Sequence, residues 1–169
     1  DAGRSTMLPG MTDCHVHLTV GAERLDGLDV EAVRSPEQLQ SAIRQYATDN
    51  PKRPVLHVYG LHYLDPPLIN PETARQELDQ LVPDRPLFIY AHDLHTGWVN
   101  TEALKQADML RTMPPFPMEI VELNAQNNMQ LDDTGIPTGE LREPDAYFLV
   151  EGRLRRSEER RVGKECRSR

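Results

Sequence analysis

The sequence predicts an α/β fold, in which strands and helices alternate along the chain. Short apolar runs typical of buried strands alternate with stretches whose apolar residues repeat at helical spacing. The 14 prolines among 169 residues are more than a helical bundle or a coiled coil tolerates, because proline interrupts helices. We expect residues 1–152 to form one folded unit, a size that is ordinary for a single domain.

The first strand is predicted over residues 11–18, directly after the turn signal at residues 7–10. Side chains two residues apart on a strand point to the same side. His15 and His17 therefore share one face of this strand, together with Asp13.

A helix is predicted next, after an acidic and weakly patterned stretch at residues 21–33 that indicates a loop with a helical piece. Ser35 can cap this helix, Pro36 suits its first position, and Gln38 completes a capping box. The helical spacing of apolar residues stops at residues 50–51.

Two further strands and two further helices complete the predicted alternation. Residues 55–60 and 86–91 are apolar runs typical of buried strands. A second helix opens at residues 70–73, and a third is predicted over residues 98–107 with Asn100 as its cap.

Composition excludes several classes of partner. The formal net charge of −8 argues against nucleic-acid binding, which favours a basic surface. No run of 18 apolar residues is present, so we expect no membrane span. Cys14 and Cys166 lie at opposite ends and indicate no disulfide framework. The chain opens at Asp1 without a signal-peptide pattern, which leaves the compartment open and favours the cytoplasm.

The last 17 residues differ sharply from the rest of the chain. Residues 153–169, which we call the basic tail, contain eight basic and three acidic residues and almost no apolar ones. Such composition predicts a segment that is disordered or foreign to the folded unit. The alternative is a basic arm for an anionic partner.

The sharpest chemical motif is His15-Val16-His17. Two imidazoles on one face of a strand can meet the same metal ion, and Asp13 can orient one of them as a hydrogen-bond acceptor. The alternative is a pair of half-buried histidines without a metal. A doubly wound nucleotide-binding domain is not indicated, because no glycine-rich strand-to-helix turn is present.

Three ordered motifs carry a family resemblance. The segment at residues 8–17, Leu-Pro-Gly-Met-Thr-Asp-Cys-His-Val-His, resembles the signature of the amidohydrolase superfamily. The segments at residues 83–100 and 135–143 resemble the amidohydrolase-3 branch, which includes hydrolases of N-substituted formamides. The resemblance extends from about residue 1 to about residue 151.

The resemblance implies an incomplete (β/α)8 barrel, with part of a flanking β-sandwich and an inserted α/β segment. It also implies a divalent metal, most often zinc, with His15 and His17 as the first two ligands. A complete barrel of this kind takes about 250 residues. The chain therefore looks like an N-terminal fragment without the later strands that bring further ligands and the general base.

Several polar residues crowd the end of the strand predicted at residues 86–91, where active-site loops of α/β proteins lie. His95 is a candidate catalytic residue that contacts substrate oxygen. Asp93 and Trp98 are candidate substrate-binding residues, and the alternative is that Asp93 shapes the loop while Trp98 packs. His62 is interpreted as an ordinary loop residue.

Two glutamates follow a predicted Pro-Thr-Gly turn at residues 137–139. Glu143 matches the end of the family motif better than Glu140 and is the candidate third metal ligand. The alternative is a solvated carboxylate. Arg142 points the opposite way and is interpreted as structural.

The predicted function is that of a metal-dependent hydrolase acting on C–N bonds of non-peptide amides, such as formamides, through a metal-activated water. Its partner would be a small amide-like substrate, with a homo-oligomer left open. The 169-residue chain itself is expected to be inactive. The alternatives are a truncated α/β piece without turnover and a small metal-binding module that uses His15 and His17 alone.

Overall fold

The computed structural model describes Gly3, residues 18–111 and residues 127–154. These residues form a mixed six-stranded sheet with helices on both faces, so the predicted α/β class is confirmed. None of the described helices is long and apolar enough to span a bilayer. In chain order the elements are α1 (Leu18–Asp26), β1 (Leu28–Asp29), α2 (Pro36–Asp49), β2 (Leu56–Leu61), α3 (Ala74–Asp79), β3 (Leu87–Ala91), β4 (Thr96–Val99), α4 (Thr101–Gln106), β5 (Met129–Leu131), β6 (Pro137–Arg142) and α5 (residues 143–154).

The sheet has a parallel half and an antiparallel half. Its strand order is β1-β2-β3-β4-β6-β5; β1, β2 and β3 are parallel, and every later pair is antiparallel. One line of paired residues crosses four strands, from Val58 through Ile89 and Trp98 to Glu140. Because of these directions, the carboxyl ends of β2, β3 and β6 meet the start of β4 at one edge, which we call the carboxyl edge.

Each face of the sheet carries its own hydrophobic core, because alternate strand residues point to opposite faces. In β3, Leu87 and Ile89 contribute to the core beneath α2 and α3, whereas Phe88 and Tyr90 contribute to the core beneath α4 and α5. Such two-sided burial explains why this strand reads as an uninterrupted apolar run.

The helix predicted from Ser35 is confirmed as α2. The Ser35 hydroxyl accepts a hydrogen bond from the Gln38 backbone N–H at 3.3 Å, and Pro36 occupies the first helical position. The Gln38 side chain accepts from the backbone N–H of Arg34 at 3.0 Å, one residue before the partner that a capping box uses.

The prediction of a helix over residues 98–107 is wrong at its start. Trp98 and Val99 belong to β4, which pairs with both β3 and β6. The helix begins at Thr101, and Asn100 is its cap as predicted, because the side chain of Asn100 accepts from the N–H of Ala103 at 3.0 Å.

The predicted turn at residues 137–139 is also wrong, because these residues lie in β6. The turn lies earlier, where the Gly135 N–H donates to the Asp132 carbonyl at 2.9 Å. Gly139 has a φ of +106°, and a Cβ there would lie 2.6 Å from the carbonyl oxygen of Val99. Glycine at this position therefore allows β6 to pass close to its neighbours.

The N-terminal predictions are tested only in part. Leu18, which was predicted to end the first strand, begins helix α1, so the prediction of a strand is wrong at this residue. The helical piece expected within residues 21–33 is confirmed by α1. His15 and His17 lie outside the described residues, and the (β/α)8 barrel stays a prediction.

The folded part of the chain extends past residue 152, where the sequence predicted that it ends. Residues 153 and 154 continue α5, and Leu154 is buried in the core on that face. The Arg153 guanidinium donates to the Ala107 carbonyl at 3.5 Å. Residues 155–169 lie outside the described residues, so their disorder stays a prediction.

Candidate functional site

Aromatic and polar side chains gather at the carboxyl edge, where β2 and β3 end. His62 and Tyr63 follow β2, and His92 and Asp93 follow β3. The rings of His62 and His92 are stacked with centroids 4.6 Å apart, and the Tyr63 ring meets the His92 ring edge-on at 5.7 Å. Ligands of α/β sheets bind at such an edge, because loops from neighbouring parallel strands converge there.

His95 and Glu143 form a hydrogen-bonded pair at this edge. His95 Nδ1 lies 2.9 Å from Glu143 Oε2, and the Glu143 backbone N–H donates to the His95 carbonyl at 2.6 Å. Thr96 pairs with Arg142 between β4 and β6, so His95 and Glu143 are the next opposed residues of the same antiparallel ladder. Both side chains are more than half exposed, at 62% and 54%.

The backbone is strained at Glu143 itself and at Leu94, which precedes His95. Leu94 has a φ of +63° and Glu143 a φ of +59°, a region that costs a non-glycine residue about 1 kcal/mol or more. The Tyr147 hydroxyl donates to the Leu94 carbonyl at 2.7 Å and fixes this loop from the side of α5. Strain of this kind is typical of positions where a side chain must be held for a function.

Asp93 joins the loops that follow β2 and β3. Its Oδ1 atom accepts the Tyr63 hydroxyl at 3.1 Å and the His95 backbone N–H at 3.0 Å. Burial raises the pKa of the Tyr63 phenol, so the hydroxyl stays protonated and remains a donor. Asp93 thus shapes the loop, as the alternative interpretation of the sequence held; substrate contact stays a prediction.

The hydrogen bond that the His95 imidazole donates to the Glu143 carboxylate, together with the negative charge of that carboxylate, raises the pKa of His95 above its ordinary value. Below that pKa the pair is an ion pair. Above it, the contact at Nδ1 assigns the remaining ring proton to this atom, which leaves Nε2 as a proton acceptor. The pair can therefore exchange a proton at Nε2.

Trp98 is packed within the sheet. The side chain is 5% exposed, and its Nε1–H donates to Oε2 of the buried Glu140 at 3.2 Å. Arg142 donates to the other carboxylate oxygen of Glu140 at 2.7 Å, in line with its structural interpretation. The Trp98 ring meets the Tyr63 ring edge-on at 6.2 Å, so it supports Tyr63 from behind.

The part of the chain that the structure describes does not bring a set of metal ligands together. Within residues 18–111 and 127–154, no three His, Cys, Asp or Glu side chains converge in a way that holds an ion. Glu143 contacts His95 instead, and His15 and His17 lie outside these ranges. Their roles as metal ligands stay predictions.

Four residues singled out from the sequence thus lie together, namely Asp93, His95, Trp98 and Glu143. Tyr63 belongs to the same cluster, and sequence reasoning missed it. A usable signal was present, because Tyr63 comes three residues after the strand predicted at residues 55–60, and site residues collect at such strand ends.

Comparison with known proteins indicates the family of this chain. A sequence model of the amidohydrolase family matches residues 1–145. The exoenzymes regulatory protein AepA of Pectobacterium carotovorum subsp. carotovorum is 27% identical over 157 residues, which cover 89% of this chain and 32% of that protein. The N-substituted formamide deformylase of Arthrobacter pascens is 28% identical over 153 residues, which cover 88% of this chain and 26% of that protein.

A solved structure shares the fold. The crystal structure of an uncharacterized metal-dependent hydrolase from Pyrococcus horikoshii OT3 matches with a TM-score of 0.52 and 20% identity, over 89% of this chain and 28% of that one. The chain therefore spans less than a third of the length of each of these proteins. The family match covers most of the chain and agrees with the motifs read from the sequence, so the chain belongs to the amidohydrolase family, in its amidohydrolase-3 branch.

Proposed function

We propose that this chain contributes to a metal-dependent hydrolase that cleaves the C–N bond of small non-peptide amides. Family membership supports the hydrolase class. The relative named as an N-substituted formamide deformylase supports a formamide-like substrate. The proposal assigns residues 1–154 to an incomplete (β/α)8 barrel with an inserted segment, residues 155–169 to a tail outside it, and the protein to the cytoplasm.

The observation that carries this proposal is the His95–Glu143 pair at the carboxyl edge. Glu143 holds one ring nitrogen of His95 at 2.9 Å, and the imidazole is 62% exposed. A histidine oriented in this way can donate a proton or a hydrogen bond to the oxygen of a substrate carbonyl, or transfer a proton to the leaving amine. Amide hydrolysis needs both of these events.

The proposed metal is a divalent ion, with zinc the first choice. His15 and His17 would hold it, because imidazole is a preferred zinc ligand and the two alternate on one predicted strand. Glu143 is retained as the third candidate ligand, since only one of its carboxylate oxygens contacts His95. When bound, the ion would supply an activated water as the nucleophile.

Metal binding by a chimaera that supplies the later strands tests the first part of the proposal. After dialysis against zinc and then metal-free buffer, we expect His15→Ala and His17→Ala to hold far less than one equivalent by elemental analysis. The matched control is His57→Ala, which removes an imidazole on β2 that does not belong to the predicted motif. A His17→Ala chimaera that keeps the zinc content of the unsubstituted chimaera contradicts the assignment of the metal anchor.

The same chimaera tests the chemistry. Residues 1–154 would replace the aligned segment of the Arthrobacter pascens deformylase, and turnover of N-substituted formamides would be measured. We expect His95→Ala to lower turnover about 10²-fold while leaving the metal content unchanged, because its partner is substrate rather than the ion. Loss of metal with His95→Ala would instead assign this residue to the ion.

The 169-residue chain alone is expected to show no turnover of amides. Metal-dependent turnover by this chain, abolished by His15→Ala, would contradict the expectation that the later strands are required. Stoichiometric zinc binding by the 169-residue chain alone, lost in His15→Ala, would favour the alternative of a metal-binding module that uses His15 and His17 alone.

A further inference from the structure

We infer that Tyr63 is a specificity-determining residue, whose ring forms the wall on which a flat aromatic group of the substrate, without a negative charge, lies beside His95. This inference rests on the proposed function and narrows its substrate class. It concerns a residue at the end of β2 that no sequence motif singled out.

Tyr63 combines high exposure with a supported position. Its side chain is 49% exposed, although its ring meets the His92 ring at 5.7 Å and the Trp98 ring at 6.2 Å. Both contacts are edge-on, with interplanar angles of 69° and 60°. The neighbouring aromatic side chains therefore support the ring without covering it.

A hydrogen bond fixes the ring relative to the proposed catalytic histidine. The Tyr63 hydroxyl donates to Asp93 Oδ1 at 3.1 Å, and the same oxygen accepts the backbone N–H of His95 at 3.0 Å. Asp93 is thus a positioning residue that couples the wall to the imidazole. A ring held in place before binding loses little conformational entropy when a ligand stacks on it.

The charges around this position disfavour an anionic ligand. Asp93 and Glu143 lie on the same edge as Tyr63, and the carboxylate of Glu140 contributes to the electrostatic environment of its phenol. The guanidinium of Arg142 is already paired with Glu140 at 2.7 Å. A substrate that carries a carboxylate would be repelled here, so the inferred class is aromatic amides without a negative charge.

Trp98 provides a direct measurement, because it is the only tryptophan in the chain and its ring contacts Tyr63. Titration of the purified 169-residue chain with benzamide is expected to change Trp98 fluorescence in a saturable way. Acetamide, which lacks a ring, and hippurate, which adds a carboxylate, are expected to bind more weakly. Saturation-transfer NMR on the probe protons gives a second readout that does not depend on Trp98.

Substitutions separate the ring from its hydroxyl. Tyr63→Ala is expected to weaken benzamide binding about two- to twelve-fold, the range of a single aromatic contact. Tyr63→Phe keeps the ring and is expected to retain most of the affinity. The matched control is Phe148→Ala, because Phe148 is 58% exposed on α5 and is not among the ring contacts of Tyr63; its removal should leave affinity unchanged.

Equal binding of acetamide and benzamide overturns the inference, as does an equal loss of affinity with Tyr63→Ala and Phe148→Ala. Failure of benzamide to bind by either readout also overturns it. These outcomes are distinct from failure of the proposed function, because zinc binding by His15 and His17 is measured separately and does not involve Tyr63.

Discussion

The two edges of the sheet use polar side chains in opposite ways. At the edge where β3 begins, Asn100 is fully buried and uses all of its hydrogen-bonding capacity. Its amide nitrogen donates to the carbonyls of Val82 and Arg85, each at 2.8 Å, and its oxygen accepts the N–H groups of Leu87 and Ala103, each at 3.0 Å. This residue binds strand β3, helix α4 and the preceding loop together.

At the carboxyl edge the polar groups are left exposed. His95 and Glu143 are bonded to each other, yet more than half of each side chain is accessible, and their backbone is strained. A polar side chain at a strand end therefore stabilises the fold when its hydrogen bonds are satisfied inside the protein, as those of Asn100 are. A polar side chain that stays exposed there, such as that of His95, is available for chemistry.

The largest effects on stability are expected from substitutions of Asn100. Asn100→Ala removes three buried hydrogen bonds and one part-buried one, and each buried group left without its partner costs about 1–3 kcal/mol. We expect a loss of about 3–5 kcal/mol in the free energy of unfolding, measured by urea denaturation. For a domain of ordinary stability, this is a large fraction of the total.

Asn100→Asp is a second test, because it keeps an oxygen that can accept from Leu87 and Ala103 but places its other carboxylate oxygen against two carbonyl oxygens. Its loss should be at least as large as that of Asn100→Ala, since a buried carboxylate that faces acceptors is not compensated. A loss below about 1 kcal/mol in the free energy of unfolding of Asn100→Ala would show that water replaces the side chain and that this edge is accessible to solvent.

A smaller effect on stability is expected from Tyr147→Phe, which removes the hydrogen bond that a buried residue donates to the carboxyl edge. Tyr147 is buried on α5, and its hydroxyl donates to the carbonyl of Leu94 in the strained loop. Loss of one such bond costs about 1 kcal/mol, measured by urea denaturation. Phe148→Ala on the exposed side of α5 is the control and should change stability less; equal losses would show that the hydroxyl does not hold the loop.

Local sequence patterns were sufficient to predict α2, β2 and β3, because capping residues and apolar runs act over a few neighbours. They failed at Trp98, whose strand state depends on pairing with Glu140 in β6, more than 40 residues later, and at Val99, which pairs with Phe88 in β3. A cap at Asn100 already implied that the helix begins after it. The pairing of β4 with β6 also brings His95 to Glu143, so their contact was beyond any local pattern, although both residues were singled out.

The smallest effect on stability is expected from Glu143→Gln, which removes the charge next to His95 and keeps the shape of the side chain. The carboxylate raises the pKa of His95, so Glu143→Gln should lower it toward the ordinary value of about 6.5. The pKa is measured by NMR titration of the imidazole proton at Cε1, assigned with His95→Ala. The control is Glu72→Gln, an exposed carboxylate before α3, which should leave the titration of His95 unchanged.

The raised pKa of His95 determines how the stability difference between the wild type and Glu143→Gln changes with pH. A group whose pKa is raised in the folded state adds stability below its unfolded pKa, and that stability is lost as the pH rises through the folded pKa. The difference in stability between the wild type and Glu143→Gln should therefore be widest below the unfolded pKa of His95, which is about 6.5, and it should close as the pH rises through the raised folded pKa of His95. Because both side chains are exposed, the difference should stay well below that of Asn100→Ala at every pH. A difference that widens with rising pH would mean that Glu143 stabilises the chain through some contact other than its bond to His95.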